Sequence, residues 1–295
     1  MVNPARPPQW RLCTRSLDLP HPGGPLRRPL VMGIVNVTPD SFSDGGRHAS
    51  VDAAVAHGLA LVAEGADILD VGGESTRPFS EPVAEDEELR RVAEVVRRLA
   101  AESGVPVSID TSKARVAAQA VALGAEIIND ITGLDGDPDM IRVARDSGAA
   151  VCAMHMQGTP QTMQVEPRYD DVVTDIHRYL AARRDALVAA GIPLARICLD
   201  PGIGFGKTHE HNLDLMRHAD RFLDLGTPIL VGHSRKGFLA KVIERSLGRP
   251  ATLAERDAAT TGAACGLAAR GIHIVRVHAV GLVRAALELV AATGP

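Results

Sequence analysis

From residue 30 onward the chain repeats one rhythm: a short apolar run rich in Val and Ile, a polar turn, then an Ala-rich stretch with apolar residues at helical spacing. The runs read LVMGIVNVT, ADILDVGGE, VPVSIDT, EIINDI, AAVCAMH, RICLDPG, PILVGHS and IHIVRVH, eight in all. Near-continuous apolarity, rather than alternation, predicts strands buried on both faces, as in a parallel sheet covered by helices. The patterns at 51–64, 85–101, 112–123 and 171–190 predict covering helices. Eight strand–helix units are the number that closes an α/β TIM barrel, (β/α)8, as a single domain. An open doubly wound sheet is the second choice, disfavoured because no obvious dinucleotide fingerprint is present.

Composition narrows the partners. Hydrophobic residues make up 45% of the chain and aromatics only 3%, which suits helices packed on aliphatic strands. The net charge of -4 is spread along the chain without a basic stripe, so nucleic acid is not expected. Nowhere do ~18 apolar residues run together, so the reading is a soluble, cytoplasmic protein with no membrane partner. Cys13, Cys152, Cys198 and Cys265 lack metal-knuckle or redox spacing, and Cys152 and Cys198 are expected as buried thiols. Residues 1–28, rich in Pro and Arg, form an extension before a barrel at 29–295, either a disordered tail or a strap across the barrel bottom.

Active sites of such barrels gather at the C-terminal ends of the strands. Here those ends carry Asn36, Glu74-Ser75-Thr76-Arg77, Asp110, Asn129, His155, Asp200, Ser234-Arg235-Lys236, Arg276 and His278. A single strand-end Asp is as often a helix cap, but Thr111-Ser112 can cap the helix after Asp110 themselves. Asp110, Asn129, Asp200 and Lys236 offer two carboxylates, an amide and an ammonium, a set that matches the edge of a flat heterocycle. Arg77, Arg276 and His278 suit phosphate, and the Asn36 oxygen suits a hydrated Mg²⁺ carrying phosphate oxygens. The ligand implied is a polar bicycle bearing a phosphate-type leaving group.

Several other features have a plainer reading. GIGFGK lacks the spacing of a phosphate-binding P-loop. Met154 and Met156 beside His155 read as packing rather than a soft-metal site. His155 and His233 read as structural, the run 85–98 as a solvated helix face, and the small-residue stretch 256–271 as close helix packing or a dimer contact.

The segments GIVNVTPDSFSDGG (33–46), GADILDVGGESTRP (65–78), VSIDT (107–111), IINDITG (127–133), MHMQGTP (154–160), LDPGIGFGKT (199–208), GHSRKGF (232–238) and RVHAV (276–280) occur in this order. Together they resemble the dihydropteroate synthase family, nearly collinearly from about 30 to 290. The resemblance implies a pterin-binding TIM barrel, a transferase of folate biosynthesis. Such an enzyme condenses 6-hydroxymethyl-7,8-dihydropterin diphosphate with p-aminobenzoate to give 7,8-dihydropteroate and pyrophosphate. It also implies Mg²⁺, a homodimer, and sulfonamides as competitive inhibitors. By the same resemblance Asp110, Asn129, Asp200, Lys236 and Met154 hold the pterin. Asn36, Thr76, Arg77, Arg276 and His278 hold the diphosphate, with Asn36 also on the metal. Phe42, Pro78, Phe205, Ser234 and Lys236 form the p-aminobenzoate pocket, and the loops 36–47 and 74–80 close over the site. Asp110, Lys236 and Arg77 are the expected catalytic residues, on an SN1-like path. A pterin-binding methyltransferase would leave the cationic cluster idle, and a non-catalytic paralogue would be expected to lack one of these positions.

Overall fold

The computed structural model describes residues 9–21, 28–37, 46–77 and 79–293. A short antiparallel hairpin comes first, β1 (Gln9–Arg11) and β2 (Ser16–Asp18). The eight apolar runs then become β3 (Leu30–Asn36), β4 (Ile68–Gly72), β5 (Val107–Asp110), β6 (Ile127–Asp130), β7 (Ala150–Met154), β8 (Ile197–Asp200), β9 (Leu230–Val231) and β10 (Ile274–Val277). Their order is β8-β7-β6-β5-β4-β3-β10-β9, with every pair parallel. A parallel bridge between Leu199 and Ile229 joins the two ends, and the Leu199 N–H donates to Pro228 O at 3.0 Å. The ring of a TIM barrel is closed.

Helices cover the outside because alternate strand residues point there. Val31, Val35, Leu69, Val71, Ile109 and Ile128 belong to the outer core, packed with Val92, Val96 and Leu99 of α2 (Glu85–Glu102) among others. The helix expected at 51–64 is α1 (Gly46–Ala63), and that at 171–190 is α5 (Val172–Ala189). Between them lie α3 (Ala114–Ala122) and α4 (Met140–Ser147). The chain closes with α6 (His209–Arg217), α7 (Gly237–Leu247), α8 (Leu253–Ala269) and α9 (Val280–Thr293).

Two local readings change. The first turn of α3 is not held by Thr111-Ser112 alone: the Ala114 N–H donates to Asp137 in the loop before α4, at 2.8 Å, and Thr111 Oγ1 accepts only from Lys113 N–H, at 3.2 Å. The charged run at 85–98 is not wholly solvated, because Glu88 is fully buried and accepts from Lys113 at 2.5 Å. An acid on an inward helix face survives there because the ammonium compensates it.

The strands' inward residues change character along the barrel. Near the N-terminal end they are Leu30, Met32, Ile68, Ile127, Leu230 and Ile274, which pack with Trp10, Leu12 and Leu19 of the hairpin region into a separate buried cluster. Trp10 is fully buried and its indole N–H donates to Arg196 O at 3.0 Å. Glu126 anchors the hairpin turn, accepting from Thr14 N–H at 3.0 Å, Thr14 Oγ1 at 2.8 Å and Arg15 at 2.8 Å. Residues 9–19 therefore cross the barrel floor. Cys152 and Cys198, distant in sequence, are register partners on β7 and β8, and both are fully buried free thiols in this cluster.

Candidate active site

At the opposite end the inward positions turn polar. Period-two alternation carries β5 from Ser108 to Asp110, β6 from Ile127 to Asn129, β8 from Cys198 to Asp200, and β10 from Ile274 to Arg276. The register sets Asn36 beside Gly72, Gly72 beside Asp110, and Asp110 beside Asn129. An acid and an amide thus end neighbouring strands on one rim. Gly72 and Gly232 contribute no side chain at this level, and a Cβ on either would face Asp110 or Asp200 and Arg276 at 3.5 to 3.9 Å.

Arg276 is the hub. Its Nε donates to Asp70 Oδ2 at 2.5 Å and an Nη2 hydrogen to Asp110 Oδ2 at 2.6 Å. Asn129 Nδ2 donates to the same Asp70 oxygen at 3.1 Å. Asp70 was not picked out from the sequence. It lies in mid-strand and is fully buried. Its one signal is parity: an acid two residues before Gly72 in an otherwise apolar run must point into the barrel. Arg276, grouped by sequence with the phosphate cations, is tied here to the same acids that neighbour the expected heterocycle-binding residues.

Burial pushes Asp110 up to about 7, opposed by Arg276 and assisted by the charges of Asp70, Glu88 and Asp130. Lys236 is pushed down to about 7, mainly by burial, while Asp200 draws it back up. Its ammonium donates to Ile203 O and lies 4.2 Å from the centre of the Phe205 ring. Asp200 is raised by burial and accepts from Gly202 N–H at 2.7 Å. Asp110, Asp200 and Arg276 all act on the titration of Lys236, and Asp110 and Asp200 both act on Arg276, so the four share one low-dielectric space. Met154 closes β7 beside Asp200 in register and is 4% exposed.

Ser234 Oγ accepts from the His278 N–H at 3.2 Å and lies 2.9 Å from His278 Nδ1. The hydroxyl hydrogen is then free for Nδ1, which leaves the ring hydrogen on Nε2. Burial, followed by Arg235, Arg276 and Arg77, pushes His278 down to about 3, so it is a neutral donor. Arg235, at φ +59°, turns away to a two-pronged pair with Asp257 at 2.6 and 2.9 Å. Arg77 is exposed and Thr76 partly exposed at the lip, while Phe205 is half-buried. Phe42 and Pro78 lie outside the described residues, as does most of the 36–47 loop.

The glycine-rich loop after β8 is a wrap, not a phosphate loop. A Cβ on Gly202, at φ +69°, would lie 1.9 Å from His155 O, so only glycine lets this loop cross the end of β7. Lys207 then turns inward, 2% exposed, and donates to Phe205 O at 2.8 Å and His155 O at 3.4 Å, with His155 Nδ1 at 3.0 Å. Nothing in the sequence distinguishes this buried lysine from a surface one. His155 is driven down to about 3 by burial and by Lys207, and it packs edge-on against Tyr179, which fits a structural part. His233 lies fully buried against Thr260 O at 3.0 Å.

A closed barrel whose mouth joins acids, an amide and cations on one rim fits a pterin-binding enzyme, and a family model described as "Pterin binding enzyme" matches residues 32–278. A dihydropteroate synthase of Neisseria meningitidis serogroup B is 45% identical over 274 residues, covering 91% of this chain and 94% of that protein. Among solved structures, Xanthomonas albilineans dihydropteroate synthase with 4-aminobenzoic acid superposes with a TM-score of 0.88 at 44% identity, covering 98% of both chains. A Yersinia pestis dihydropteroate synthase with a sulfonamide drug superposes with a TM-score of 0.85 at 42% identity, over 97% of this chain and 98% of that one. The chain belongs to the dihydropteroate synthase family of pterin-binding enzymes.

Proposed function

We propose that this transferase condenses 6-hydroxymethyl-7,8-dihydropterin diphosphate with p-aminobenzoate, releasing pyrophosphate and 7,8-dihydropteroate for folate biosynthesis. The observation that carries the reading is the shared mouth: Asp110, Arg276, Asp70 and Asn129 are linked by hydrogen bonds, with Asp200 and Lys236 perturbing the same space. The barrel at 29–295 is read as the catalytic unit, with residues 1–28 as an extension from it.

Asp110, Asn129, Asp200 and Lys236 grip the edge of the pterin, and Met154 packs on it. The titration of Asp110 and Lys236 near neutrality suits a site that settles charge only when a ligand arrives. Heterolysis of the C–O bond leaves positive charge on the exocyclic methylene, which the ring delocalises and Asp110 stabilises electrostatically. His278 Nε2–H, Arg77, Arg276 and Thr76 meet the departing anion. The arylamine then attacks the methylene from a pocket made by Phe205, Ser234 and Lys236 together with Phe42 and Pro78. It needs no strong base, which agrees with the depressed pKa values of His155 and His278. Excluding water by loop closure protects the cation.

Among the described residues no group of three or more His, Cys, Asp or Glu could cage a metal. That donor set fits Mg²⁺ only as an ion arriving with diphosphate and waters, for which Mg²⁺ keeps few protein ligands, here Asn36. Bound so, it would neutralise the leaving group's charge. No helix among the described residues is long and apolar enough to cross a membrane, which agrees with a cytoplasmic enzyme. A homodimer is proposed with it, and exposed Val242, Leu247 and Leu253 on α7 and α8 support a contact there.

The test is product formation with each substrate omitted in turn, read as pyrophosphate and dihydropteroate. Both are expected only with both substrates present, with sulfonamide competing against p-aminobenzoate. Pyrophosphate without p-aminobenzoate incorporation, or no turnover, overturns the reading.

A further inference from the structure

Asp70 has no part in the mechanism above, yet among the described residues it is the one carboxylate that accepts hydrogen bonds from two expected ligand-binding side chains. Its Oδ2 accepts from Arg276 Nε at 2.5 Å and Asn129 Nδ2 at 3.1 Å, and its Oδ1 is buried without a hydrogen bond. Ser108 Oγ, on the residue beside it in register, is likewise buried without a partner. A full carboxylate with one oxygen doubly used is a poor choice for packing alone, since an apolar residue would cost the fold less.

We infer that Asp70 is a positioning residue for the synthase reaction, pinning Arg276 and Asn129 so that Arg276 presents a fixed donor and Asn129 a fixed acceptor to the pterin diphosphate. The inference rests on the pterin-binding reading of the site. With Nε held by Asp70 and one Nη2 hydrogen by Asp110, Arg276 keeps the second Nη2 hydrogen and both hydrogens of Nη1, and Nη1 makes no hydrogen bond among the described residues. Were Arg276 to swing fully to the diphosphate, Asp70 would be left as a buried charge without its cation, a state that costs too much to be populated. Arg276 therefore stays at the level of the ring and meets the leaving group with one edge only. Asn129 is oriented by the same oxygen: because its Nδ2 donates to Asp70, its Oδ1 is kept as the acceptor for the ligand.

The experiment compares the full-length wild type with Asp70→Asn, Arg276→Gln and the double variant. Wild-type turnover first establishes the synthase reading; without it that reading fails, whatever the variants do. Asp70→Asn is expected to lower kcat/KM for the pterin diphosphate roughly 10- to 100-fold, the range for losing a charged buried hydrogen bond, with KM for p-aminobenzoate unchanged. A second readout is the acid limb of the pH–rate profile. Asp110 is faced by Asp70, Glu88, Asp130, Arg276 and Lys236, so removing the Asp70 charge and freeing Arg276 for Asp110 both move that limb to lower pH. A merely structural residue would lower the active fraction and leave the profile in place. If Asp70→Asn fails to fold, the double variant, which removes the buried pair together, is compared with Arg276→Gln alone. Rates within about twofold of each other support action through Arg276. A further multiplicative loss in the double variant, or an Asp70→Asn enzyme with wild-type kinetics and pH profile, overturns the inference.

Discussion

At the floor of the barrel Trp10, Leu12 and Leu19 are at most 1% exposed and pack into one cluster with apolar side chains and thiols from the strands. At the mouth, a few residues further along the same strands, Asp70, Asp110, Asp200, Arg276 and Lys236 crowd a space where burial, modified by neighbouring charges, moves Asp110 up and Lys236 down to about 7. The floor gains free energy from what it buries. The mouth gives some up, because every ionised group there is taken from water and compensated only in part. One scaffold thus separates where stability is made from where chemistry is done.

Mutations should separate the two ends in the same way. The largest effect is expected at the floor: Trp10→Ala should cost ~3–5 kcal/mol, as for other large-to-small core changes, and lower Tm by roughly 10 °C. Its kcat per folded molecule should stay near wild type, and thermal melts beside rate assays read both quantities. A parallel collapse of kcat would mean that the hairpin shapes the mouth.

Next, Asp110→Asn should lower kcat by about 100-fold or more, as for loss of one preorganised electrostatic group. The same change should raise stability with a definite pH dependence. Asp110 is held above its unfolded value, at about 7. Its contribution is therefore present below the ordinary Asp range and lost as pH rises through about 7. The variant's Tm advantage should be greatest at pH 8 and fade toward pH 4. An Asp110→Asn protein less stable than wild type at pH 8 would break the contrast between mouth and floor.

Lys236→Met should reduce kcat/KM for the pterin diphosphate roughly 10- to 100-fold through loss of a buried charged donor, with little loss in Tm. A variant with unaltered kinetics would remove Lys236 from the site. The smallest effect belongs to Glu126→Ala, which releases Thr14 and Arg15 and should cost about 1–2 kcal/mol, seen in chemical denaturation and not in rate.

The barrel was legible because a strand buried on both faces must be apolar nearly throughout, and eight such runs leave few topologies. The four-residue strands that end at Asp110 and Asp200, and the one that carries Asn129 just before its end at Asp130, marked their own C-terminal ends by where apolarity stopped. Asp70 was missed for the same reason: lying before the end of its run, it reads as an interruption until parity is counted. Lys207 and Glu88 were illegible, since in sequence a buried lysine in a loop and a buried glutamate on a charged helix match surface residues.

The sequence alone determined the periodicity, hence the strands, the helices and the end of the barrel on which polar groups gather. Only the tertiary structure decided who holds whom: that Arg276 joins Asp70 to Asp110, that Asn129 shares its acid, and that a hairpin of residues far from the site closes the floor. Periodicity is a property of neighbours along the chain, and solvent writes it residue by residue. Pairing between strands 206 positions apart, as for Arg276 and Asp70, depends on closure and register, which no local pattern encodes.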